Sequence, residues 1–280
     1  MLLTVVGPGI VIALALLYGA WRRQSATRAL VRRLEAARVA VHPARYNSQE
    51  LAGLPLPVQR YFRAVLKDGQ PLVSAVNLTQ TGTFNTSESG ERWRSFSSAQ
   101  RVVTKRPGFL WDAHVAVIPG IAVRVHDAYV AGQGVLHATL FGLVKLADMR
   151  GTGKVAQGEL MRFIAEAAWY PTAFLPSQGV QWEAVDDASA KATLRDGDIT
   201  VTLLFRFNRA DLIESVRAEA RGRSIKSSVV PTPWEGRWCN YELREGMRIP
   251  LEGEVAWLLA EGPRPYWRGR LTRVTYEFAR

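Results

Sequence analysis

From Pro71 onward the hydrophobic positions of the chain fall mostly at a spacing of two. The clearest run is Ile199, Val201, Leu203, Phe205 and Phe207, alternating with Thr200, Thr202 and Arg206, which is the pattern of a strand with one wet face. Ala190, Ala192 and Leu194 make the strand before it, and Asp196-Gly197 between the two is a strong hairpin signal. Turn chemistry at Gly132, Gly142 and Glu245-Gly246 divides the rest into strands near 72–85, 92–104, 108–118, 121–131, 133–149, 179–185, 212–220, 232–244, 247–260 and 265–278. Connections this short predict an antiparallel meander of about ten strands.

Two stretches switch to helical spacing. Between Gly153 and Pro176, Ala156, Leu160, Phe163, Ile164, Ala167 and Ala168 recur at helical intervals until Pro171 stops the run. The other opens with a cap at Asn47 and Glu50 three residues on, then places Val58, Tyr61, Phe62, Val65 and Leu66 on one face, a short amphipathic helix packed on the core. A sheet this large curls, and its concave side would expose an apolar trough unless covered. The central helix supplies the cover. The expected fold class is α+β, mainly antiparallel β: a curved, half-barrel-like sheet with a central helix on its concave face. With no low-complexity linker or repeat, residues 47–280 read as a single β-rich domain.

The N-terminus departs from this pattern. Met1 to Trp21 contain no charged side chain, and about 20 apolar residues suffice to span a bilayer as a helix. Residues 1–21 therefore read as a retained transmembrane anchor, with Tyr18 and Trp21 where an aromatic belt would lie. Arg22, Arg23, Arg28, Arg32 and Arg33 follow, and residues 1–50 hold +5 of the chain's net +11. Leu30, Leu34, Ala37 and Val41 make residues 22–46 a basic juxtamembrane helix and linker, pressed on anionic lipid or simply solvated. Basic flanks are retained on the cytoplasmic side, which puts the large domain there; a periplasmic or other extracytoplasmic location is the alternative.

Several blocks of the domain are familiar as sequence. Leu54-Pro55-Leu56-Pro57-Val58, Pro107-Gly108-Phe109-Leu110-Trp111-Asp112, Trp169-Tyr170-Pro171, Thr232-Pro233-Trp234-Glu235-Gly236 and Pro265-Tyr266-Trp267-Arg268-Gly269 resemble signature blocks of a bacterial membrane-anchored family of unknown function. The resemblance spans almost all of residues 50–278 and implies no activity or catalytic residue. The order of strands, central helix and further strands also resembles the half-barrel of the LolA/LolB lipoprotein carriers, which implies an apolar cavity able to hold acyl chains. Those carriers are periplasmic or tethered to the outer membrane, whereas the arginines here point to the cytoplasm.

Aromatics and a small polar group are the candidate site. Trp169 and Tyr170, at the end of the central helix, are placed at a cavity rim, with Trp182, Trp234, Trp257 and Trp267 in the sheet around it. Glu159, Arg162 and Glu166 share one helical face, with Phe163 on the neighbouring apolar stripe. Strand alternation points Asp127 inward with Val125 and Tyr129, where it could join Asp112, Glu252 or Glu254 in a buried network. Such a group would be an internal salt bridge, a polar anchor for a ligand head, or an acidic catalytic pair.

Other chemistry is thin. No phosphate loop, nucleophile motif or metal-ligand spacing is present, so neither cofactor nor metal is expected. Cys239 stands alone in a strand-like stretch, and His114, His126 and His137 fall on separate strands whose register the sequence does not fix. The basic residues are not organised as a nucleic-acid module. The sequence supports a membrane-anchored module holding a lipid or other apolar ligand. The alternatives are a membrane-associated scaffold for a protein partner and an enzyme using acids of the central helix.

Overall fold

A computed structural model of the protein describes residues 3–87, 90–225 and 228–280, with the side chains of 3–8 and 228 excepted. The fold is one open, curved antiparallel sheet of thirteen strands with a helix on each face. The first meander is β1 (Val73–Asn85), β2 (Trp93–Val103), β3 (Gly108–Ile118), β4 (Ile121–Val130), β5 (Gln133–Leu140) and β6 (Val144–Gly151). The second is β7 (Gln181–Asp186), β8 (Ser189–Asp196), β9 (Ile199–Phe207), β10 (Ile213–Ile225), β11 (Ser228–Arg244), β12 (Met247–Leu259) and β13 (Gly262–Phe278). Their order, β6-β5-β4-β3-β2-β1-β13-β12-β11-β10-β9-β8-β7, joins the meanders at β1 and β13.

The count exceeds the expected ten. The run 133–149 breaks into two strands because Phe141 and Gly142 both take positive φ, 55° and 71°, and fold it into a hairpin with Leu140 opposite Val144. Curvature follows from the Tyr129 hydroxyl on β4, which donates to Asp196 Oδ2 on β8 at 2.7 Å although the two strands lie near opposite edges.

One connection crosses the sheet, from edge strand β6 to edge strand β7, and it carries the central helix α3 (Lys154–Ala165) followed by three 3-10 turns to Gln178. Its apolar stripe enters the main core: Ala156, Leu160, Phe163 and Ile164 are buried against the concave face. The segment opening at Asn47 is two pieces. Asn47 caps a 3-10 turn (Ser48–Leu51), and Pro55 then starts α2 (Leu56–Val65), which buries Val58, Tyr61, Phe62 and Val65.

The N-terminal helix bears on two expectations. Among the described residues no helix is long and apolar enough to cross a membrane; the first residues of the expected 1–21 span lie outside the described ones. Nor is there a separate juxtamembrane helix, because α1 (Leu3–Ala37) runs through without interruption. Its second half docks on the convex face of β2–β4 instead of lying free for lipid. Leu34, 1% exposed, packs with Ala75, Val103, Leu110, Ala128 and Val130. Arg23 faces Asp112 at 3.8 Å, Arg33 donates to Gln133, and Arg38 and Arg101 bind Glu35 and Glu277 at 2.7–3.4 Å. Arg22, Arg28 and Arg32 stay exposed.

The register of docking gives α1 a direction. Leu34 sits toward the strand ends at Val103 and Gly108, Thr27 bonds His126 and Asp112 midway, and Gly19 meets the β5–β6 turn. A Cβ on Gly19 would lie 2.2 Å from the Phe141 carbonyl oxygen, so this crossing tolerates only glycine. Residues 10–18 consequently run past the end of the sheet, with Ile10, Ile12, Leu14 and Leu17 exposed.

Candidate functional site

On the concave face α3 projects a charged cluster toward β3 and β4. Arg162 Nη1 donates to Asp127 Oδ2 at 2.5 Å and its Nε to Glu166 Oε1 at 2.7 Å. Gln100 Nε2 donates to the other Glu166 oxygen at 2.6 Å. The Arg162 guanidinium also lies over the rings of Phe109 and Trp111, 4.9 and 5.0 Å from their centroids. An arginine stacked on aromatics and held by two carboxylates is a fully compensated charge: burial opposes its charge, but Glu166 and Asp127 outweigh that and raise its already high pKa further.

Glu159, one turn back on α3, has no such partner. Burial and the neighbouring Asp127 charge push its carboxyl well above the usual range, which favours its neutral form. Two carboxyls side by side are the grouping that an acidic catalytic pair would need. Asp127 is committed to Arg162, however, which makes the assembly a rigid polar floor.

Beyond this floor the helix and sheet separate to leave a cavity of about 530 Å³. Trp169 and Trp238, ring centroids 4.9 Å apart, line its inner part, and Trp234, Val255, Trp257, Tyr266 and Trp267 its wall. Trp257 and Tyr266 stack at 5.5 Å, and the Trp234 indole N–H donates to the Tyr266 hydroxyl at 2.9 Å. The mouth lies between Phe84–Ser87, Arg221–Ile225, Arg264 and the first turn of α3 at Lys154. Strand pairing at Asn85↔Trp93, Ile225↔Ser228 and Leu259↔Gly262 puts its sheet side at the same strand ends as the hairpins closing at Ile118↔Ile121 and Leu140↔Val144, while Met149 and Lys154 close it from the other end of β6, where Gly134 pairs Gly151.

Of the residues singled out from the sequence, Asp127, Glu159, Arg162, Glu166, Trp169, Trp234, Trp257 and Trp267 come together around this cavity. Three do not. Trp182 packs with Phe62, Phe174 and Phe205 elsewhere in the core, Phe163 is buried in the core beside Tyr170, and Tyr170 is wholly buried with its hydroxyl on the Phe163 carbonyl. Trp169 forms the inner wall, 1% exposed, and not the rim. Asp112, Glu252 and Glu254 also stay out of the network. Phe109 and Trp111 point inward, so alternation turns Asp112 outward to Arg23 and His126, while Glu252 and Glu254 face Arg270 and Arg268 on the outer surface. Two of the three strand histidines meet on that outer face, where His126 pairs Asp112 and His137, and His137 pairs Asp148, whereas His114 pairs Arg124. Among the described residues no group of three or more His, Cys, Asp or Glu could hold a metal ion.

Sequence reasoning missed Arg221, Arg223, Lys154 and Trp238. The expected strand stopped at 220, because Arg221-Gly222-Arg223-Ser224 reads as polar loop. The structure continues β10 to Ile225 after a bulge between Ala218 and Arg221.

The profile of a family of unknown function, DUF6920, matches residues 52–276. The chain belongs to DUF6920. The matched span starts just before α2 and takes in α2, α3 and the sheet to within two residues of the end of β13. No curated protein matches the chain. Among solved structures it is similar to a LolA superfamily protein from Nitrosomonas europaea, with 12% identity over 78% of this chain and 93% of that one and a TM-score of 0.34. A domain from Vibrio parahaemolyticus described as an outer membrane lipoprotein-sorting protein matches at 8% identity over 82% and 94%, with a TM-score of 0.40. Superposition this loose carries no functional argument.

Proposed function

We propose that this DUF6920 protein is a membrane-tethered binding module that holds a lipid or other apolar ligand between α3 and the concave sheet. The observation that carries the reading is the 530 Å³ cavity walled by Trp234, Trp257, Tyr266 and Trp267 over a polar floor. Its volume lies within the range of small-molecule sites, and an apolar wall with a few fixed polar groups is their usual composition. The polar floor is structural in this reading: Arg162 locks α3 to β4 and keeps the cavity from collapsing.

Support for the tether comes from α1. Its exposed apolar residues run past the sheet at the end where the mouth opens, followed by exposed Arg22 and Arg28. Ile118, Phe141, Val144 and Leu146 are exposed on the hairpins at the same end. A bilayer entered by α1 would thus meet these tips and face the mouth. The arginine collar predicts a cytoplasmic domain, which a C-terminal reporter fusion tests.

Gly158 offers the direct test of the cavity. It lines the space from α3, and a Cβ there would meet only Arg221 Nε at 3.9 Å. Gly158→Leu should fill the cavity and also strengthen the helix by roughly 0.5–1 kcal/mol. Native mass spectrometry of gently solubilised full-length protein should show bound lipid in the wild type and none in the variant, whose Tm is unchanged or higher. A wild type that takes up no lipid from vesicles would sink the reading.

A further inference from the structure

Resting on the reading of the cavity as an apolar ligand site, we infer that the ligand is an anionic amphiphile, its carboxylate or phosphate head bound by Arg221 and Arg223. The inference starts from an imbalance of charge within one cavity. All three acids that line it, Asp127, Glu159 and Glu166, sit at the floor beside Arg162. Four cations, Lys154, Arg221, Arg223 and Arg264, line the mouth side.

Arg221 is the decisive one. It is only 9% exposed, yet among the described residues it makes no salt bridge or side-chain hydrogen bond; its guanidinium rests 4.9 Å over the Trp234 ring. The acid beside it on α3, Glu159, forms no salt bridge with it, and burial and Asp127 shift that acid toward its neutral form, which weakens it as a counter-charge. Burying a cation without an anion is costly, and one indole face recovers a minor part of that cost. Arg162 on the same helix, held by Asp127 of β4 and by Glu166, shows how this fold treats a buried arginine it means to neutralise. Arg221 is left for something that arrives.

Arg223, two residues along β10, presents a second guanidinium 5.9 Å over Trp257. Two planar donor forks at the entrance to an indole-walled cavity match a carboxylate or phosphate, which accepts several charge-assisted hydrogen bonds at once. The apolar chain then lies along Trp234, Trp257 and Trp267 toward Trp169. Head and tail are thereby oriented: the tail enters first and the acid stops at the mouth.

Quenching of the cavity tryptophans by brominated chains tests this on the full-length protein in nonionic micelles. Three probes are compared: 9,10-dibromostearate, its methyl ester, and a lysophosphatidate carrying the same chain. The expected result is saturable quenching at least tenfold tighter for one or both acids than for the ester, abolished by Gly158→Leu. Arg221→Gln should reduce the acid's advantage to threefold or less, and Arg221→Lys should restore part of it. Arg223→Gln, at a half-buried site that leaves the fold intact, should also lower it. Which acid binds more tightly distinguishes a fatty acid from a phosphate monoester as the source of the head. Equal binding of acid and ester, or an acid advantage untouched by both glutamine variants, overturns the inference while leaving the cavity standing. Saturable quenching by none of the three overturns the cavity reading itself.

Discussion

The two faces of the sheet are each covered by a helix, and the helices hold on in different ways. On the concave side α3 buries an aliphatic and aromatic stripe and plants one arginine between two buried carboxylates. On the convex side α1 buries little beyond Leu34 and relies on half-exposed polar contacts: Thr27 to Asp112 and His126, and Glu35 and Arg38 to Arg101 and Glu277. Charges on the concave side are uniformly close to buried and hard to remove. Those on the convex side range from nearly buried His126 and Arg101 to half-exposed Glu277, and the exposed pairs are individually worth about 1 kcal/mol or less. The first helix defines the cavity, whereas the second aims it.

The largest effect should come from breaking the concave pair. Arg162→Met leaves Asp127 and Glu166 buried without a cation, which should cost roughly 3–5 kcal/mol. Thermal unfolding followed by circular dichroism checks this, and a loss under 1 kcal/mol would mean that water already screens the floor.

Next comes the convex face at its driest point. Leu34→Ala removes a side chain packed on Ala75, Leu110 and Ala128 and should cost about 2–4 kcal/mol of α1 docking. Hydrogen exchange of residues 25–37 should quicken while that of β8–β10 does not. If both quicken together, the helices belong to one cooperative unit and the comparison collapses.

The same contrast decides what the sequence could reveal. The parity of Asp127 and the stripe Ala156, Leu160, Phe163 and Ile164 are periodic signals, and alternation plus helical spacing were enough to place acid, helix and concave sheet opposite one another. Long-range choices were not legible. Leu30 and Leu34 form a stripe equally suited to lipid or to protein, and only the small outer residues Ala75 and Ala128, on strands apolar on both faces there, select the sheet. The register that brings His126 beside Asp112 and His137 is likewise invisible before the strands pair. Arg221 was hidden for a third reason: a bulge shifts the face of β10 just before it, so parity counted from Val216 misplaces it.

The smallest effect separates the faces by the sign of their response to pH. Asp112, paired with His126 and Arg23, and Glu277, bonded to Arg101 and Arg38, titrate below the ordinary carboxylate range. Their contribution is present above the unfolded-state values and is lost as pH falls through the lower folded ones. Glu159 runs the other way. Its folded pKa lies above the unfolded one because burial and Asp127 oppose its charge, so the folded protein holds a proton that the unfolded chain has released, and stability declines as pH rises between the two. Glu159→Gln keeps the shape and the neutral state without that proton. It should leave Tm unchanged near pH 5, raise it by a few degrees at pH 8, and flatten the alkaline limb while the acid limb, set partly by the convex pairs, stays where it was. An acid limb that moved with the variant would put Glu159 in electrostatic contact with the convex face, through a sheet that otherwise keeps the two charge systems apart.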